Sequence, residues 1–182
     1  MASQPGDELV KDVFAHYGLA AYLAYVLERS LLNALTTVYG PGPTRLTESQ
    51  LEERFQDLSR KGLSVLITTL RDAGLSAEVV PVVQAALVDR ERLVNHFFWE
   101  HAVDFASEEG CHRMLSALTE IEQRFLECDA RVTAEVHRWA TAHGLTTGDF
   151  DAVQQAMLDR GRVLSGEEVD EVLGSGRRGG TA

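Results

Sequence analysis

Cysteine, proline and lysine are the scarce residues of this 182-residue chain. It has two cysteines and four prolines, and of its 17 basic residues only Lys11 and Lys61 are lysine. Cys111 and Cys128 form no C-x-x-C pair, so neither a disulfide framework nor a cysteine-rich zinc site is expected. The first residues, Met-Ala-Ser-Gln-Pro-Gly-Asp-Glu, lack the basic and apolar regions of a secretory leader. The longest apolar run, Gly18 to Leu27, falls short of the roughly 20 residues a membrane span needs. The expectation is a cytoplasmic chain that makes no membrane contact. Basic clusters are also missing. A net charge of −11 excludes a non-specific nucleic-acid coat, though one small basic cleft stays open.

Alternating strand patterns are absent as well, and helical periodicity runs through the chain. The expected fold is all-α. It is an up-and-down helical bundle with two long antiparallel helices and short C-terminal helices. Residues 1–6 and 174–182 read as flexible termini around one domain at 7–173. The first helix is expected from Asp7 to Thr37, with Phe14, Ala21, Tyr25, Leu32 and Leu35 among its inward residues. Tyr39-Gly-Pro-Gly-Pro-Thr44 ends it, because paired Gly-Pro steps cannot continue a helix. A capping box at Thr47 to Gln50 opens a second helix reaching Lys61, and a shorter third covers Leu63 to Arg71. A fourth runs from Ser76 to Ala106 and a fifth from Ser107 to His143. Short helices at 150–159 and 167–173 close the domain.

The fifth helix repeats apolar residues at Met114, Leu118, Ile121, Phe125, Cys128, Val132 and Trp139, close to a heptad seam. At ~1.5 Å per residue it spans roughly 50 Å, more than a domain of this size needs. Part of it is therefore expected to pack against a second copy in a homodimer.

Chemistry concentrates in one stretch, Asp89-Arg-Glu-Arg-Leu-Val-Asn-His-Phe-Phe-Trp-Glu100. It sets Arg90, Arg92, Asn95 and His96 inside an otherwise apolar helix. On that helix Val80, Val83, Leu87, Val94, Phe98 and Phe105 share one face, with Arg90 and His101 at its edge. A charge there must be paired, hydrated or used, and Glu28 is the candidate counter-ion. The bland reading is that Asp89, Arg90, Arg92 and Glu100 form helix-surface ion pairs with one another or with neighbouring helices, and that His96 caps or hydrogen-bonds an adjacent element.

Arg90-Glu-Arg-Leu-Val-Asn-His96 resembles the Arg-x(4–6)-His signature of HEPN domains, with Glu91 where the family usually carries Asn, Asp or His. The resemblance extends loosely over residues 7 to 143, and only the short motif is specific. It implies a metal-independent, cofactor-free ribonuclease or RNA-associated protein of toxin type, acting as a dimer, with RNA and an antitoxin-type protein as partners. Arg90 and His96 would be catalytic, the arginine stabilising phosphate charge and the imidazole moving a proton. Arg92 and Asn95 would bind substrate. The alternative is a non-enzymatic helical interaction module that dimerises through its fourth and fifth helices. A metal bundle is the third reading. Glu109-Gly-Cys-His112 matches E-x-x-H but lacks the second copy a di-metal site requires, and His96 with Glu100 lacks a third ligand.

Overall fold

The computed structural model describes residues 4–37 and 76–142, together with single positions elsewhere in the chain. Every regular element among these residues is helical, and the fold is all-α. The elements are α1 (Asp7–Thr37), α2 (Val79–Asn95), α3 (Phe97–Glu100), a 3-10 turn (Asp104–Ala106) and α4 (Glu108–Ala142). The expected helices at 47–61, 63–71, 150–159 and 167–173, the Gly-Pro break, residues 1–3 and the tail at 174–182 lie outside the described residues, apart from single helical positions such as Glu53, Asp57, Thr68 and Arg71. No helix among the described residues is long and apolar enough to cross a membrane.

α4 forms the spine. Cys111, Met114, Leu118, Ile121, Phe125, Cys128 and Val132 are buried at alternating spacings of three and four. This matches the expected seam from Met114 to Val132, though Trp139 at its far end is only partly buried, and it is the packing period of helices that cross at a shallow angle. α1 presents a seam of the same period, with Val13, Ala20, Ala24, Leu27, Leu31 and Ala34 buried. Ala20 and Ala24 remove side-chain bulk at the contact, which lets two long helices approach closely. Ser107 starts α4 as its cap, its hydroxyl accepting the Gly110 N–H at 3.1 Å. Gly110 is required there, since a Cβ would stand 1.9 Å from the Asp104 carbonyl oxygen.

Chain direction follows from the cross-links. Glu28 meets Arg90, Tyr17 meets Leu93 and Phe97, and Phe14 meets Phe98, so α1 and α2 are antiparallel. The Ser76 N–H donates to Glu135, and Asp89 pairs with Arg124, so α2 and α4 are antiparallel too. α1 and α4 therefore run the same way, with α2 returning between them. The start of α1 meets the α2–α4 connection in an aromatic cluster. There Phe14 lies 5.6 Å from both Phe98 and Phe105, and Tyr17 lies 4.7 Å from Phe98.

Three expectations need correction. Phe14 and Tyr25 do not face inward; both are more than half exposed, while Val13 and Ala24 beside them are buried. The inner face of α2 is likewise one residue off near its end, with Leu93 and Phe97 buried and Val94 and Phe98 at the surface. The expected helix from Ser76 to Ala106 is also interrupted. Backbone bonding runs from the His96 N–H to the Arg92 carbonyl, then from the Glu100 N–H to the His96 carbonyl. The Leu93 carbonyl between them accepts the Tyr17 hydroxyl of α1 at 3.4 Å. A side chain entering the ladder in this way is a recognised cause of a helix break.

Candidate functional site

The four residues singled out from sequence occupy the last turn of α2 and the break after it, and they do not converge. Arg90 donates from Nη2 to Glu28 Oε2 at 3.0 Å, with both side chains about two-thirds or more buried. This is the counter-ion expected from sequence, and it ties α2 to α1. Arg92 points to the other side and donates from Nε to Glu100 Oε2 at 2.6 Å. That pair is eight residues apart and bridges the break at His96. Asn95, the last residue of α2, is exposed. His96 is exposed, with φ −130° and ψ −21°, and its imidazole makes no hydrogen bond or ion pair among the described residues.

Electrostatically the segment is self-neutralised. Arg90 answers Glu28, Arg92 answers Glu100, and Asp89 accepts two bonds from Arg124 of α4, at 2.5 and 3.3 Å. A phosphate would have to displace a carboxylate from each guanidinium it approached. Glu91 adds a further exposed acid on the same helix.

Sequence reasoning missed a tighter constellation ten residues on. His101 Nδ1 lies 2.9 Å from Asp104 Oδ2, and Arg113 reaches Asp104 Oδ1 from Nη2 at 2.5 Å and from Nε at 3.2 Å. Arg113 also pairs with Glu109 at 3.2 Å. The imidazole packs on Phe97 with ring centres 4.6 Å apart. Hydrogen bonds from Arg113 and then His101 hold the Asp104 carboxyl below the usual carboxylate range. The Asp104 carboxylate in turn raises the Arg113 guanidinium above its ordinary value. The available signal was the His-x-x-Asp spacing on a helical turn, which an Arg-x-His search passes over. The cluster locks the α2–α4 connection; its chain of partners is closed on itself.

The remaining candidates are structural. No group of three or more His, Cys, Asp or Glu among the described residues could hold a metal ion. His112 of the E-x-x-H match is exposed, and Glu109 is engaged by Arg113. Cys111 and Cys128 are free and fully buried, and burial pushes the Cys128 thiol up to about 12. A thiol with that pKa is no nucleophile at neutral pH. His16 meets buried Glu122 at 3.0 Å at the edge of the α1–α4 seam.

What the molecule does present is apolar surface. Tyr22 and Tyr25 of α1 are about 60% exposed, and Phe14, Val94 and Phe98 extend the same side towards the aromatic cluster. Trp99 and Val103, at the turn beyond α2, are the most exposed of the large apolar side chains among the described residues, at 85% and 86%. Large aromatic rings left in water are costly and mark contact surfaces more often than scattered aliphatic residues do. No family model, curated protein or solved structure matches this chain.

Proposed function

We propose that the protein is a non-enzymatic helical interaction module whose working surface is the open side of α1 and the adjoining end of α2. One observation carries this reading. α1 is apolar on two faces: its aliphatic seam is buried, while Tyr22 and Tyr25 stay at the surface beside Phe14, which is half exposed although it touches Phe98 and Phe105. Burying these rings would return about 25 cal/mol for each Å² of apolar area removed from water. The account needs no free cation, and it assigns Arg90 and Glu28 to joining α1 and α2. Hydroxyl-radical footprinting inside cells, beside nanomolar purified protein, tests it. Protection of Tyr22 and Tyr25 in cells is the expected result; equal oxidation in both settings contradicts the reading.

A second reading follows from His96. Its exposed, unengaged imidazole at the end of a helix is what the HEPN resemblance asks of a general acid or base. In that reading Arg90 leaves Glu28 to meet a phosphate, Arg92 and Asn95 contact RNA, and an antitoxin-type protein covers the dimer. Cleavage of end-labelled transfer and messenger RNA in chelator separates the two. The interaction reading expects none, while the nuclease reading expects cleavage that His96→Ala and Arg90→Ala both abolish without loss of helicity.

A further inference from the structure

We propose that the break at His96 is a hinge pinned by the Tyr17 hydroxyl, and that with the pin out α2 and α3 join as one helix from Val79 to Glu100. Every residue of the device lies among the described ones, and the inference stands apart from the interaction reading.

Nothing in the local sequence demands a break here. The chain has no proline or glycine from Val82 to Glu109, and those residues are common causes of a sharp interruption. The interruption is also as short as one can be. α2 ends at Asn95 and α3 begins at Phe97, with only His96 between them. His96 has φ −130° and ψ −21°, so a change of roughly 70° in φ brings it close to helical values.

What holds the break open comes from elsewhere. The Tyr17 hydroxyl donates to the Leu93 carbonyl at 3.4 Å, and that carbonyl is the acceptor a continuous helix reserves for the Phe97 N–H. The Tyr17 ring is held against Phe97 and Phe98, with centres 5.9 and 4.7 Å away. Strong hydroxyl bonds run at about 2.5–3.0 Å, so this pin is a weak one. Arg92 and Glu100 form a strap over the same point. Eight residues separate them, roughly 12 Å along a straight helix, so their 2.6 Å bond favours the broken form.

The sequence supplies an inner face for each state. In the broken form Leu93 and Phe97 are buried, and Val94 and Phe98 sit at the surface. In a joined helix, at ~100° per residue, Val94 and Phe98 continue the stripe of Val80, Val83 and Leu87. Two apolar pairs one residue apart make the segment bistable, the property a hinge needs. Phe98 also touches Phe14 and Tyr17, so joining the helices resets the edge where α2 borders α1.

Nuclear magnetic resonance of the isotope-labelled full chain reads this hinge. Tyr17→Phe removes the pin and keeps the ring. The His96 Cα shift should then move towards helical values, and exchange of the Phe97 amide should slow roughly tenfold as it gains a ladder bond. Glu100→Gln in the same chain weakens the strap and should carry both changes further. His96→Gly added to Tyr17→Phe lowers helix propensity at the hinge, and should speed Phe97 exchange again by roughly three- to fivefold. An unchanged His96 shift in Tyr17→Phe, or Phe97 exchange no slower than in the wild type, overturns the proposal. Faster exchange along the whole of α1 and α2 would mark lost packing alone, and overturns it as well.

Discussion

Two glycines in this chain stand in opposite surroundings. At Gly110 a Cβ would press into the Asp104 carbonyl, so any side chain must move backbone where the 3-10 turn meets α4. Gly110→Ala should therefore cost more than ~2 kcal/mol in urea unfolding, as overpacking against backbone does. Gly18→Ala, by contrast, should stabilise the dilute monomer by up to ~1 kcal/mol, because it gains helix propensity and meets nothing. The titrating residue of the same region is Asp104. Its folded pKa is depressed by Arg113 and His101. A depressed carboxyl contributes stability that is complete above its unfolded pKa, near ~4, and is lost as pH falls through the folded value. The stability difference between wild type and Asp104→Asn should accordingly be largest near pH 6 and shrink below about pH 4, measured by thermal unfolding across that range. A difference that stays constant to pH 2 would separate the ion cluster from acid stability.

At the level of elements, the α4 seam was legible because its residues are apolar on one stripe and charged elsewhere. α1 was misread because it has two apolar stripes. Size favoured Phe14 and Tyr25 as inward, but the helix-to-helix approach selects the smaller Val13, Ala20 and Ala24. Periodicity reports which residues share a face; it does not say which face meets the core. The α2 break escaped for a different reason, since its cause is the Tyr17 hydroxyl, 76 residues distant. Of the candidate site, the Arg90–Glu28 pair was readable because Arg90 stands at the edge of an apolar stripe and Glu28 is the one acid deep in α1. The His101–Asp104–Arg113 cluster needed the break to form. Truncation separates the two faces of α1. Phe125→Ala, in the buried seam, should cost about 3–5 kcal/mol. Tyr25→Ala should cost well under 1 kcal/mol in the dilute monomer, as exposed positions do. A Tyr25 cost similar to that of Phe125 would return the aromatic stripe to the core.

Among the described residues the molecule packs along the α1–α4 seam, joins helices with several of its ion pairs, and leaves Phe14, Tyr22, Tyr25 and Trp99 at the surface. Its arginines are engaged by neighbouring carboxylates at Arg90, Arg92, Arg113, Arg124 and Arg131, so the cationic side chains act mainly as struts. Function on this account lies in what the chain holds on to, and the second face of α1 is where it holds. Hydroxyl-radical footprinting of the full chain inside cells, beside nanomolar purified protein, tests that claim most directly. Tyr22 and Tyr25 should be protected in cells and oxidised in dilute solution. Equal oxidation of both tyrosines in the two settings would contradict the account.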